Sequence, residues 1–366
     1  MSHRPIWTNK AALRGLLALA MLSVFIWKGC PTEDADTESD LDPLETVLFA
    51  TPADSSVACF RIPAIETVGG VLLAAIDERV PSCADLRGNR DINILLRRSS
   101  DGGQTWSEAE RVLDYPDGVS ASDPSFIVDH ERGRVFMLAN VMNHDENPGQ
   151  YRFHVLSSDD LGATWSDPVD ITEHIAPLSW RNDFMFVTSG RGIQASDGTL
   201  LHTLVNLERG VHVVASEDHG ESWVLAGSAI SPGDESKIVE LSDGSWMVNS
   251  RVAGAGHRWV HRSSDRGASW KSSPDASLID PAVNASLIRM GERLLYIGAH
   301  HPTRRENLTL RVTEDEGASW SAGSIIETGP AAYVSSTALD ERTVALFYER
   351  AGYTQNVFKR LHIPIP

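Results

Sequence analysis

The chain has 366 residues, 42% of them hydrophobic and 22% charged, and a net charge of −18 from 50 acidic and 32 basic side chains. These are the proportions of a globular protein, long enough for one large or two ordinary domains. The acidic excess excludes nucleic acid as a partner, because phosphate binding needs a basic face; it leaves room for a small anionic ligand, which responds to local charge.

At the N-terminus Arg4, Lys10 and Arg14 precede the apolar run LLALAMLSVFIW, Leu16 to Trp27. Twelve apolar residues suit the core of a secretory signal and are short for a bilayer span. Residues 1–29 therefore read as a signal peptide or lipoprotein leader, with a retained anchor as a third option. The expected location is exported: periplasmic, cell-surface lipoprotein or secreted. Cys30, after Gly29, resembles a bacterial lipoprotein attachment site, and membrane contact is expected only through a lipid there; ordinary cleavage is the competing reading. Residues 30–45 carry seven acids between Glu33 and Glu45 and no aromatic residue, the composition of a disordered linker.

From residue 46 onward one pattern, Ser/Thr-x-Asp-x-Gly-x-x-Trp, recurs five times: SSDGGQTW, SDDLGATW, SEDHGESW, SSDRGASW and TEDEGASW, with tryptophans at 106, 165, 223, 270 and 320. A period near 50 residues indicates repeated supersecondary units, of which propeller blades are a common β form. The motif reads as a hairpin turn. Its Asp and Ser/Thr bond the turn's own backbone, Gly supplies a positive φ, and Trp anchors into the blade. Strand-like runs such as INILLRR and FHVLSS flank the turns, and helical periodicity is absent from most of the chain. The expected fold is all-β: roughly 320 residues at 50–55 per unit make a six-bladed β-propeller over 46–366. The sixth blade, without the motif, closes the ring by pairing TVLFA near Thr46 with TVALFYE near Thr343.

One residue raises a chemical question. The stretch ACFRIPAI, Ala58 to Ile65, has the makings of a buried strand, yet holds Arg61. A buried guanidinium is costly unless an anion meets it.

The eight-residue turns resemble the Asp boxes of sialidases, and FRIP, Phe60 to Pro63, resembles the motif that opens the first blade of the bacterial exo-α-sialidases. That resemblance implies a set of roles. Arg61, Arg251 at the end of VELSDGSWMVNSR and Arg305 in HPTRRENLTLR correspond to three arginines around a sugar carboxylate, with Arg304 the rival of Arg305. Guanidinium forks a carboxylate and stays charged at any working pH. Asp85, in the loop DERVPSCADLRGNRDI, corresponds to the general acid/base, with Asp91 its rival, and Arg79 to an arginine contacting a ring hydroxyl. Tyr333 in GPAAYVSSTAL and Glu235 in PGDESKIVEL correspond to nucleophile and base; the family often has Asn where Asp234 stands. A neutral phenol suits an anomeric carbon that already bears a carboxylate, and sialidases are a recognised exception to carboxylate nucleophiles. Asp123 resembles a position near the N-acyl group, and Met142, Trp180 and Phe184 are candidates to line that pocket, with core packing the default reading for each.

The implied activity is retaining exo-α-sialidase hydrolysis of sialylated glycans, without cofactor or metal; the pair His300–His301 reads as polar loop. Trans-sialidase action, hydrolysis of another nonulosonic acid, or a non-catalytic glycan-binding propeller are the alternatives, the last expected to lack Tyr333 or Glu235. Cys59 and Cys83 lie two residues before Arg61 and Asp85. They are either a disulfide pinning the acid loop to the arginine strand or two free buried thiols.

Overall fold

The computed structural model describes residues 43–364 except residue 54, so the expected leader, Cys30 and most of the expected linker lie outside the described residues. Leu44 and Glu45, assigned to the linker by composition, are in fact strand. Leu44–Ala50 pairs antiparallel with Gln355–His362, and Glu45 meets Arg350 at 2.6 Å and Lys359 at 3.0 Å. Cations more than 300 residues away in sequence are invisible to a local composition count.

The fold is all-β and propeller-like. The first sheet is the meander Cys59–Val68, Val71–Val80, Asp91–Ser99 and Glu110–Leu113. The second is built on Val119–Asp129, Arg134–Asn143 and Arg152–Ser158, the third on Leu200–Asn206, Gly210–Ser216 and Val224–Ile230. The fourth runs from Ser236–Glu240 through Trp246–Ser250 and His257–Ser263 to Lys271–Ile279. The last has seven strands, from Ser286–Met290 to Gln355–His362 with Leu44–Ala50 at its edge. Six separate sheets were expected and five are found among the described residues. The reason is the strand Ser324–Ala338, 15 residues long: its first part pairs with Glu306–Thr313 and its second with Thr343–Arg350, fusing two four-stranded groups. Thr46 and Thr343 do fall in one sheet, so the two chain ends meet there.

The repeated turns fold as their chemistry dictates. In the first, Ser99 Oγ donates to Asp101 at 2.8 Å and accepts from Gly103 N, while Asp101 accepts from the Thr105 amide and hydroxyl. These bonds, Thr105 first, hold the Asp101 carboxyl down at about 2. The Trp does more than anchor its own sheet. Trp106 packs edge-on against Phe358 of the last sheet, at 5.1 Å between centroids, and Trp223 against Phe136 of the second, at 5.8 Å. A Cβ on Gly103, φ +90°, would sit 2.2 Å from the Phe358 ring. The glycine is therefore required both by its torsion and by the close approach of the neighbouring sheet.

Each box follows the third strand of its antiparallel meander, Met185–Val187 being the first strand of the third sheet, so the opposite rim gathers the starts of first strands and the ends of second strands. Two first strands bulge there. Register slips between Arg61 and Ala64 and between Ser122 and Ser125, with Ile62 at φ +64° and Asp123 at φ +61°, each just before a proline. Positive φ at a β-branched residue costs energy and marks a position held by its surroundings. The bulges take Ile62, directly after Arg61, and Asp123 out of the ladder at the rim.

Candidate active site

A cavity of about 470 Å³ opens at this rim, and all eight residues singled out from the sequence line it: Arg61, Arg79, Asp85, Asp123, Glu235, Arg251, Arg305 and Tyr333. A larger groove of about 830 Å³ includes Asp315 and Trp320 of the fifth box. Asp315 there holds its own turn, Arg293 donates to the carbonyls of Pro364 and Glu341, and Lys359 pairs with Glu45. It offers no convergent acid, base and nucleophile.

The anion beside Arg61 is, in the first instance, protein. Arg61 Nε donates to Glu349 Oε1 at 2.6 Å, and Glu349 is fully buried. The same carboxylate accepts from the Ile62 amide at 3.0 Å and the Tyr333 amide at 3.2 Å. One guanidinium edge is thereby fixed and the other left for the cavity. The Arg61 guanidinium also lies 4.2 Å from the Tyr353 ring centroid, and Arg305 donates to the Tyr353 hydroxyl at 3.4 Å. Arg305 donates to the Ala282 carbonyl at 3.2 Å and sits 5.5 Å from the Tyr333 centroid. Arg304 does not line the cavity and pairs with Glu306 at 2.7 Å.

The acid loop lines the same cavity. Asp85, 84% exposed at its side chain, accepts from Arg79 Nη1 at 2.6 Å. Arg79 is almost wholly buried and also donates to Asp77 through Nε and Nη2 and to the Cys83 carbonyl. Four of its five N–H groups are thus engaged with protein, so Arg79 orients Asp85 and has a single N–H left for a sugar hydroxyl. Cys59 and Cys83 form a disulfide, with Cα atoms 5.7 Å apart, that ties this loop to the Arg61 strand. Asp91 stands at a strand start, accepting from Asn93 at 3.1 Å, outside the cavity.

In the same cavity Tyr333, Glu235 and Arg251 form a cluster. Glu235 accepts from Arg251 Nη1 and from the Tyr333 hydroxyl. Arg251 also reaches the Tyr333 oxygen at 3.4 Å and Asp234 at 3.3 Å. Burial, then the Glu235 carboxylate, holds the Tyr333 phenol well above its ordinary range, so it is neutral at working pH and needs a base to become a nucleophile.

Asp123 accepts from Asn140 at 3.0 Å, and its amide donates to Asp77 at 2.9 Å. Burial and then the Asp77 carboxylate push Asp123 up to about 7 from an ordinary 3.8. Between those values the folded state binds the extra proton, so its stability falls as pH rises through that window and the loss is complete above about 7. Asp123→Asn, which keeps an acceptor and removes the repulsion, is expected to raise Tm by roughly a few degrees at pH 8 and by nothing at pH 4. Thermal melts at the two pH values check this; equal shifts at both would show that charge is not the cause.

Of the three apolar candidates only Phe184 lines the cavity, beside Tyr151, Phe186 and Leu207. Met142 is fully buried in the core, because the second strand of its sheet turns that face inward. Trp180 stacks on His212 at 4.7 Å, with Arg209 over its ring, away from the cavity. Sequence reading missed Glu349, Tyr353 and Asp77. For Glu349 the signal was present: Ala345, Phe347 and Glu349 share one face of a strand whose other face, Val344, Leu346 and Tyr348, is also apolar.

Comparison with known proteins agrees with this geometry. Residues 72–346 match the BNR repeat-like domain family. A sialidase of Micromonospora viridifaciens is 36% identical over 79% of this chain and 50% of its own length, and a sialidase of Bacteroides fragilis is 30% identical over 86% of this chain and 64% of its own. The chain thus spans about half to two thirds of the length of these curated relatives. The solved structure of a Hadza microbial sialidase, 26% identical, superposes with a TM-score of 0.74 over 83% of this chain and 66% of that one.

Proposed function

Because the chain belongs to the BNR repeat-like family and its cavity brings three arginines against a Tyr–Glu pair, we propose that it is an exo-α-sialidase of sialylated glycans. The observation that carries this is the convergence of Arg61, Arg251 and Arg305 with Tyr333 in one cavity, which Asp85 also lines with an exposed side chain. Two charge-assisted forks on a carboxylate contribute roughly 1.5–3 kcal/mol per bond, and they set the anomeric carbon over the Tyr333 oxygen. Asp85 then donates its proton to the leaving glycosidic oxygen. The Tyr333 hydroxyl gives its proton to Glu235 as its oxygen bonds to the anomeric carbon, which closes a covalent glycosyl–Tyr intermediate. Asp85, now ionised, takes a proton from water as the water oxygen displaces Tyr333, and Glu235 returns its proton to the phenol. Two inversions give net retention.

The same reading extends to the architecture. The seven-stranded sheet counts as two blades sharing the strand Ser324–Ala338, which makes a six-bladed ring, with residues 1–29 an export leader, 30–43 the linker, and the enzyme periplasmic, surface-anchored or secreted. The test is turnover of a fluorogenic α-N-acetylneuraminide followed by proton NMR. Release of the α anomer before mutarotation is expected. No release from the folded chain would overturn the enzymatic reading, and a β anomer first would overturn the covalent step. A 2,7-anhydro sugar or a newly sialylated acceptor would identify a transferase.

A further inference from the structure

The cavity holds a cation that the proposed mechanism does not use. Five arginines line it: Arg61, Arg79, Arg87, Arg251 and Arg305. Arg61 is paired with Glu349, Arg79 with Asp77 and Asp85, and Arg251 with Asp234 and Glu235. Arg87 and Arg305 have no carboxylate at ion-pair distance among the described residues. Arg305 is assigned to the sugar carboxylate, and Arg87 is left over.

The loop holds Arg87 in a definite place. It is the middle residue of the turn Leu86–Gly88, two residues after Asp85. Leu86 is buried in the core, Gly88 N donates to the Asp85 carbonyl at 2.7 Å, the Asn89 side chain donates to the Ser82 carbonyl at 2.8 Å, and the disulfide ties down Cys83. The backbone under Arg87 is thus fixed from both sides, while its side chain is exposed. The guanidinium carbon lies 5.9 Å from the Phe184 centroid, and a Cβ on Gly149 would stand 3.8 Å from Nη2. A guanidinium beside an aromatic face keeps N–H groups free for an anion. Arg90 of the same loop is already engaged by Asp145 at 2.7 Å.

In the proposed mechanism Asp85 protonates the leaving glycosidic oxygen, so the sugar beyond that oxygen rests against the loop that carries Asp85. An unpaired guanidinium there favours a negative group on that sugar, because a charge-assisted hydrogen bond is about twice as strong as a neutral one. We propose that Arg87 is a specificity-determining residue of a leaving-sugar subsite, whose preferred substrates carry a second anion beside the scissile bond. That anion is the carboxylate of an inner sialic acid, as in an oligosialyl chain, or a sulfate ester on a neutral sugar. Arg61, Arg251 and Arg305 hold the carboxylate of the sugar released; Arg87 meets the charge on the sugar left behind.

The inference deepens the sialidase reading and rests on it, and matched substrate pairs separate the two. One pair is an α2,8-linked disialoside and the same compound with its inner carboxylate as the methyl ester. The other is a sialyllactoside with and without a sulfate on its galactose. The quantity compared is the kcat/KM ratio within each pair, for wild type, Arg87→Gln and Arg87→Lys. Wild type is expected to favour the anionic member of at least one pair by on the order of tenfold, and less so as salt is raised. Arg87→Gln abolishes that preference, and Arg87→Lys, which keeps the charge, retains most of it. A preference confined to the disialoside pair identifies the inner carboxylate as the ligand, and one confined to the sulfated pair identifies the sulfate. Because each ratio is taken on one preparation, a general loss of activity in a variant does not imitate the result. Absence of any preference in wild type, or a preference that survives in Arg87→Gln, overturns the proposal and leaves the sialidase reading intact. No turnover of any of these substrates by wild type overturns both.

Discussion

Tyr333→Phe is expected to lower kcat for the sialoside by on the order of 10³-fold or more, with KM changed little. The substitution removes one oxygen from a side chain that is otherwise packed among Ile62, Val283, Ala299 and Ala332, so the fold has no reason to change. In the proposed mechanism it deletes the atom that bonds the anomeric carbon and leaves Arg61 and Arg305 in place for the substrate carboxylate. A loss of 10³ corresponds to roughly 4 kcal/mol of transition-state stabilisation at 1.36 kcal/mol per tenfold, which is more than one neutral hydrogen bond supplies. A drop of tenfold or less would mean that the phenol only positions substrate and that no covalent intermediate forms on it. Trapping with a 3-fluoro sialosyl fluoride and intact mass spectrometry gives an independent reading: one sugar adduct on wild type and none on the variant.

Much of this site was legible in the sequence because its parts sit in motifs with local signatures. The boxes announce themselves through Asp, Gly and Trp at fixed offsets, since the turn is stabilised by its own side chains and needs no distant partner. FRIP and the loop around Asp85 stand out for a similar reason: an arginine in an apolar strand and a Gly/Pro-punctuated acid loop are each odd where they are. What stayed hidden depends on partners far apart in the chain. Glu45 is ordered by Arg350 and Lys359, and the fusion of two strand groups through Ser324–Ala338 is a matter of which edges a long strand meets. Met142, Trp180 and Phe184 were left between cavity and core, with core packing the default, because apolar residues near a motif look alike whether they face the cavity or the core. Asp234, noted only as a departure from the family's usual Asn, turns out to share Arg251 with Glu235, so the departure places a second carboxylate beside an arginine of the cavity.

Glu349→Gln is the substitution whose effect reaches furthest from a single atom, and it is expected to cost both stability and catalysis. The buried carboxylate receives three donors from two strands: Arg61 Nε, the Ile62 amide and the Tyr333 amide. A carboxamide has one acceptor oxygen and one NH₂ group, so whichever way it is turned, a donor must face a donor. If the oxygen stays on Arg61 and Ile62, the NH₂ abuts the Tyr333 amide and pushes the nucleophile strand. If it turns, the NH₂ faces the Arg61 and Ile62 donors, and in either orientation the guanidinium has lost its counter-ion in the interior. Breaking a buried pair by removing one partner costs roughly 3–5 kcal/mol, and the positive φ at Ile62 loses the bond that holds it. Because Glu349 fixes the edge of Arg61 that faces away from substrate, kcat/KM should fall by about 10²-fold, with both KM and kcat affected, where Tyr333→Phe moves kcat alone. Chemical denaturation and steady-state kinetics on the same preparation measure the two losses. A variant as stable as wild type with intact kcat/KM would show that Arg61 and Tyr333 hold their positions independently, and that the link Glu349 makes between the carboxylate-binding strand and the nucleophile strand is incidental to turnover.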